Sequence, residues 1–133
     1  MPRNLHDALK LIETDPEVKS YIYQQLTEFE PFVSPHTVVA VVAKDPLRLA
    51  AQLESEGEPV DREALQKMYR IAIILREGPT RIQQEALAED IYTAIRLAKE
   101  KLIKQLSAIQ NEIMSHQERV EQINSALENI QIH

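Results

Sequence analysis

Apolar residues in the first part of the chain recur at the three- and four-residue spacing of short amphipathic helices. Capping residues and prolines separate these segments. Ser34-Pro35 and Asp45-Pro46 each place a capping side chain before a proline, and Asp61 follows Val60 at the start of another apolar segment. The pattern predicts short helices at residues 4–13, 15–29, 35–44, 46–56 and 62–77.

The segment TVVAVVA at residues 37–43 admits two interpretations. Its β-branched residues favour a strand, whereas the spacing of its valines also suits a helix buried on a broad face. A strand needs a neighbour for its backbone hydrogen bonds, and no second strand candidate is apparent in the sequence. We therefore predict a helix at residues 36–43, with a strand as the open alternative.

Gly78-Pro79 is the strongest break in the chain, and neither Gly nor Pro occurs after it. Everything from Arg81 to about Ile130 can therefore form one long helix. Its first half, residues 81–103, carries a broad apolar stripe that suits packing against the short helices. We expect a helical body at residues 1–103 and a C-terminal helical arm at residues 104–133.

The apolar stripe of the arm narrows to positions that alternate three and four residues apart, which is typical of a coiled coil. We predict that this seam is an oligomer interface joining copies of the chain as a homodimer or a higher homo-oligomer. The alternative is that the arm folds back on its own body. His116, a polar residue within the seam, could fix the register. The predicted interface residues are Leu106, Ile109, Ile113, His116, Val120, Ile123, Leu127 and Ile130.

The predicted fold is thus all-α, a compact body of short helices plus one long C-terminal helix with a coiled-coil-like distal half.

The composition of the chain argues against several classes of function. The 133 residues include two Gly and no Cys, which argues against phosphate-cradling loops and excludes disulfides and thiolate chemistry. The four His lack metal-ligand spacing, and no catalytic motif is present. We expect no enzyme activity, no catalytic residue, no cofactor and no metal.

The charge balance is acidic, with 15 Lys and Arg against 21 Asp and Glu and a net charge of −6. This balance argues against a nucleic-acid partner and an anionic membrane surface. The basic run Arg96, Lys99, Lys101 and Lys104 fits a solvated helix face. No signal peptide or membrane-spanning stretch is evident, so a cytoplasmic location is expected.

These features favour a non-enzymatic protein–protein interaction module, a homo-oligomeric adaptor, scaffold component or small chaperone with an unidentified protein partner. The alternative is a helix-turn-helix DNA-binding regulator dimerised by its C-terminal helix. In that alternative the segment from Leu49 to Ala72 supplies two helices around Gly57. The DNA contacts would be Arg62, Gln66, Lys67 and Arg70.

Overall fold

The computed structural model describes residues 3–131 and contains helices and a β-sheet. Two helices and a short 3-10 helix precede the first strand, two more helices separate it from a hairpin, and a long helix follows. The elements are α1 (Arg3–Thr14), α2 (Pro16–Leu26), the 3-10 helix (Thr27–Phe32), β1 (Val38–Lys44), α3 (Pro46–Ser55), α4 (Arg62–Gln66), β2 (Tyr69–Glu77), β3 (Thr80–Ala88) and α5 (Ile91–Gln131).

The sheet has three antiparallel strands in the order β1-β2-β3, so β2 lies in the centre. Ile73 of β2 lies opposite Val41 of β1 and Gln84 of β3. The hydrogen-bonding partners that TVVAVVA requires are therefore supplied by residues 69–77. The interpretation of residues 36–43 as a helix is wrong, and the strand alternative is correct for Val38–Lys44.

Gly78 and Pro79 form the two-residue connection of the β2–β3 hairpin, in which Glu77 is paired with Thr80. Gly78 has φ +57°, a left-handed value that glycine adopts without a steric penalty. Proline fixes a negative φ at the next position, and a positive φ followed by a negative one is the combination of a type II′ turn. The break therefore reverses the chain between two strands and does not separate two helices.

The all-α prediction is wrong, because three of the segments predicted as helices form strands over part or most of their length. The helix predicted at 62–77 is α4, which has five residues, followed by β2. The long helix begins at Ile91, and the residues before it form β3. A short apolar run such as Ile71–Leu75 fits a buried strand as well as a buried helix, because periodicity does not separate the two.

One face of the sheet packs against helices. Ile71 joins residues of α1, α2 and α5 in a core cluster, and Ile73 beside it is completely buried. The buried positions of α5 recur at helical spacing and form its apolar face. The cluster consists of Ala8, Val18, Ile22, Ala43, Ile71, Ile91, Ala94 and Ile95.

Local capping chemistry sets several helix ends. The Asp15 carboxylate accepts from the backbone N–H of Glu17 at 2.9 Å, so Asp15 caps α2. Asp45 caps α3 and Asp61 caps α4 in the same way. Gly57, with φ +81°, follows α3, and the N–H of Glu58 donates to the carbonyl of Leu53 in a Schellman motif.

The chain divides into two compact units, of which the first ends at Leu102 and the second begins at Ile103. The first unit holds the sheet and the core cluster. The division into a body at residues 1–103 and a C-terminal arm at residues 104–133 stays a prediction.

Candidate functional site

A cavity of about 710 Å³ opens in the first unit where β1 ends and α3 begins. We call it the basic cavity because three of its lining side chains are cations. Its lining residues are Leu5, Ala43, Lys44, Asp45, Arg48, Gln52 and Arg70. Lys44 is the last residue of β1 and lies opposite Arg70 in β2, so pairing of the two strands brings these two like charges to one face. Arg48 and Gln52 lie one helical turn apart on α3.

The Arg70 guanidinium is held in place by three hydrogen bonds. Its Nε and Nη2 donate to the two carboxylate oxygens of Glu85, the second at 3.0 Å, and its Nη1 donates to the Asp45 carbonyl at 3.1 Å. The side chain is only 10% exposed. A bidentate arginine–carboxylate pair fixes the orientation of both groups, so Arg70 forms a rigid part of the cavity wall.

Glu85 lies among several cations. The hydrogen bonds from Arg70 lower the pKa of the Glu85 carboxyl below its ordinary value, against the opposing effect of partial burial. The charges of Lys44 and Lys101 lower this pKa further, and Lys101 also donates to the Glu85 backbone carbonyl at 3.1 Å. This corner of an acidic protein therefore has a local excess of positive charge.

The Asp45 carboxylate has a structural task at the edge of the basic cavity. Its Oδ1 accepts from the backbone N–H of Leu47 at 2.8 Å, which satisfies one free donor of the first turn of α3. Neither Lys44 nor Arg48 makes an ion pair or a side-chain hydrogen bond within the described part of the chain. The arrangement suits an anion, which would find two cations that form no ion pair with the described residues, and the fixed guanidinium of Arg70.

A second depression, of about 490 Å³, differs in charge. It lies beside α2 and the start of α5, where the Tyr21 and Tyr92 rings pack edge to face with centroids 5.1 Å apart. Desolvation raises the pKa of Tyr92, and the nearby carboxylates of Glu17 and Asp15 raise it further. Its residues are Pro16, Glu17, Ser20, Tyr21, Gln24 and Tyr92, which include no cation and disfavour an anionic ligand.

The residues predicted to contact DNA do not form a recognition helix. Arg62 and Gln66 lie on the five-residue α4, and Lys67 is its C-terminal cap. Arg62 donates to both carboxylate oxygens of Glu54, at 2.7 and 2.9 Å, and these hydrogen bonds lower the pKa of Glu54. Arg70 belongs to β2 and to the basic cavity. The helix-turn-helix hypothesis is therefore wrong, because the second helix is too short and Arg70 is engaged with Glu85.

The basic run of α5 is less solvated than expected. Lys99 is 7% exposed, and its Nζ lies 2.5 Å from a Glu28 carboxylate oxygen in the 3-10 helix. Arg96 does lie on an exposed face, where it pairs with Glu100 at 3.1 Å. Lys101, through Glu85, belongs to the surroundings of the basic cavity. Sequence reasoning missed Lys44 and Arg48, although the Asp45-Pro46 cap lies between them.

The predicted interface seam lies in the second unit. Leu106 is buried, whereas Ile109, Ile113, Val120 and Ile123 are exposed. The side chains of His116, Leu127 and Ile130 lie outside the described residues. The use of these positions as a contact surface stays a prediction.

The described part of the chain shows neither a metal-binding cluster nor a membrane-spanning helix. Among the side chains that the structure describes, no group of three or more His, Asp or Glu is placed to hold a metal ion. Within the same residues, no helix is both long enough and apolar enough to span a membrane.

Fold and site together define an α/β protein with a three-stranded antiparallel sheet and a cationic cavity at one end of it. Residues 9–114, which make up most of the chain, match the family described as "Sigma 54 modulation protein / S30EA ribosomal protein". The chain belongs to this family.

Among solved structures, the chain is similar to the crystal structure of the N-terminal domain of Protein Y from Thermus thermophilus. The two are 18% identical, with a TM-score of 0.49, and the alignment covers 72% of this chain and 84% of that one. A comparison with curated proteins finds no match.

Family membership corrects several predictions. The family is described by a ribosomal protein, so the two predicted functions, a homo-oligomeric adaptor and a DNA-binding regulator, are both wrong. The prediction of a homodimeric coiled coil as the defining feature of the protein is likewise wrong. The argument against a nucleic-acid partner is also wrong, because ribosomes consist largely of RNA. The description names modulation and ribosomal proteins and no catalytic activity, and to that extent it agrees with a non-enzymatic role.

Proposed function

We propose that this protein binds the ribosome as a non-enzymatic, ribosome-associated factor. The observation that carries the proposal is the family match over residues 9–114, a range that includes the whole sheet and every lining residue of the basic cavity except Leu5. A cytoplasmic location and contact with ribosomal RNA are parts of the same proposal.

The charge distribution supports this proposal in spite of the net charge of −6. A strongly basic protein adheres to RNA over much of its surface, whereas an acidic one is repelled except where cations are concentrated. Lys44, Arg48 and Lys101 are concentrated at one corner of the first unit. Binding through such a corner would be oriented, because the remaining surface contributes repulsion.

The test is co-sedimentation of the full-length chain with purified ribosomes through a sucrose cushion. We expect saturable pelleting that weakens as salt rises, because contacts to phosphates release counterions. A chain of the same net charge from an unrelated family serves as the control for trapping in the pellet. Absence of the protein from the ribosome pellet at low as well as physiological salt would overturn the proposal.

A further inference from the structure

We infer that the basic cavity holds a backbone phosphate of ribosomal RNA, with Lys44 and Arg48 as direct contacts and Arg70 as a further donor whose orientation is fixed by Glu85. This inference rests on the proposed ribosome binding and names a site for it. It concerns the corner where β1, β2 and α3 meet, which lies wholly within the first unit.

Two of the three cations that line the basic cavity form no ion pair within the part of the chain that the structure describes. Arg70 is neutralised by Glu85, and the Asp45 carboxylate is directed to the start of α3 through the Leu47 N–H. Lys44 and Arg48 have no such partner within the described residues. Bringing like charges together is unfavourable unless an anion joins them, and a phosphate supplies both the charge and the acceptor oxygens.

The Arg70 side chain is already held in one orientation before a ligand binds. An arginine side chain has five N–H donors, and three of them are engaged with Glu85 and the Asp45 carbonyl. Two donors therefore remain on a guanidinium that is 10% exposed and already oriented. A ligand that accepts from it does not have to immobilise the side chain, so little conformational entropy is lost on binding.

The cavity also has a size and a lining that suit a segment of RNA backbone. Its volume of about 710 Å³ exceeds what a lone phosphate fills and leaves room for an attached nucleoside. Leu5 and Ala43 give it an apolar wall, and the Gln52 amide offers both a donor and an acceptor. These groups suit the sugar and the base on either side of a phosphate.

A phosphate in this cavity could come from the RNA backbone or from a free nucleotide. Lys101 does not line the cavity, but it is exposed on α5 and donates to the backbone carbonyl of Glu85, the residue that holds Arg70. A cation near the cavity but outside it favours a continuous chain of phosphates. A free nucleotide would use the cavity alone. The RNA backbone is therefore the source that we infer, and the nucleotide is an outcome of the test.

The experiment compares two double variants of the full-length chain in ribosome co-sedimentation over a salt series. Lys44→Gln with Arg48→Gln removes the two unpaired cations of the cavity. Lys10→Gln with Lys19→Gln makes the same change in net charge at exposed lysines of α1 and α2 that do not line it. Arg48→Gln alone is included, because Arg48 is exposed and its loss does not threaten the fold. Circular dichroism melts verify that each variant is folded.

The cavity variant should bind ribosomes about tenfold to a hundredfold more weakly than the wild type, as expected for loss of charged hydrogen bonds. The slope of log affinity against log salt should also fall by about one to two units, whereas the control keeps both values near the wild type. Equal binding by the cavity variant and the wild type overturns the inference and leaves ribosome binding intact. A wild type that does not pellet overturns ribosome binding itself and the inference with it.

Isothermal titration with adenosine triphosphate, which carries phosphate without an RNA chain, separates the two sources. No saturable heat for the wild type supports the RNA backbone. Saturable binding that the cavity variant loses, while its ribosome binding stays unchanged, would make the cavity a nucleotide site and overturn the inference.

Discussion

The two faces of the central strand β2 have different surroundings. Ile71, Ile73 and Leu75 point to one face, and all three are buried, at 0, 0 and 6% exposure. On the other face the residues change along the strand from the nearly buried Arg70 to the exposed Arg76. One face is therefore uniformly apolar. The other, which we call the mixed face, carries an ion pair at one end, the apolar Ala72 and Ile74 in its middle and the exposed Arg76 at its far end.

This difference explains why β2 resembles a helix in the sequence. A strand with one solvated face alternates apolar and polar residues, but Ala72 and Ile74 fill the second face of β2 with further apolar side chains. The result is an uninterrupted apolar run from Ile71 to Leu75. The run shows that both faces of the element carry apolar side chains, and it does not show whether that element is a strand or a helix.

The largest expected effect comes from truncating the fully buried face. Ile73→Ala should lower the free energy of unfolding by about 2 to 5 kcal/mol, because it removes buried methyl groups and leaves a cavity. The matched variant Ile74→Ala makes the same chemical change on the partly exposed face and should cost roughly 1 kcal/mol. Urea denaturation of both measures the difference. Equal losses at the two positions would contradict the assignment of the faces.

A smaller effect is expected at the ion pair of the mixed face. Glu85→Gln removes the charged acceptor of Arg70 and should lower the free energy of unfolding by about 1 to 2 kcal/mol at neutral pH, since Glu85 is partly exposed to solvent. The matched control is Glu54→Gln, whose solvent-exposed pair with Arg62 should contribute less to stability than the Arg70–Glu85 pair.

The pH dependence of the same variant follows from the lowered pKa of Glu85. A carboxyl whose folded pKa lies below its unfolded value binds fewer protons in the folded state, so its contribution is complete above the ordinary value of 4.5. The contribution is lost as the pH falls through the folded pKa. The difference in stability between the wild type and Glu85→Gln should therefore be constant near neutral pH and shrink below 4.5. A difference that grows on acidification would contradict the ion pair.

The smallest effect is expected at the solvated end of the mixed face. Val38 is 62% exposed, so Val38→Thr, which keeps the β-branched shape, should change the free energy of unfolding by less than about 0.5 kcal/mol. Val41→Thr, on the helix-packed side of the same strand, places a hydroxyl beside the core cluster and should cost more. Thermal melts that rank the two variants in the opposite order would reverse the orientation of β1.

The sequence reveals the features of this fold that depend on neighbouring residues, and it does not reveal those that depend on pairing between distant residues. Asp45 and Asp61 are visible as caps, because the capping carboxylate bonds to backbone groups within three residues of it. The strand at Val38–Lys44 depends on β2, which lies beyond two intervening helices. Without that partner the valines of β1 remain ambiguous, and the all-α prediction follows from choosing wrongly between two permitted interpretations.

The basic cavity was hidden for a related reason. Lys44 and Arg70 are distant in the sequence and adjacent only through the register of β1 with β2. A net charge of −6 averages over the whole chain, so it cannot show that several cations meet at one corner. The mistaken argument against a nucleic-acid partner came from that average. Family membership, and no single motif, corrected it.

The type II′ turn at Gly78-Pro79 has a consequence for the kinetics of folding. The β2–β3 hairpin closes a loop of two residues, whereas pairing β1 with β2 must close the whole segment 45–68. The entropy lost on closure grows with loop length, and contacts that are close in sequence form first. We expect the hairpin to form early and β1 to dock onto it late. The corner that holds Lys44 and Arg70 would then be among the last parts of the sheet to form.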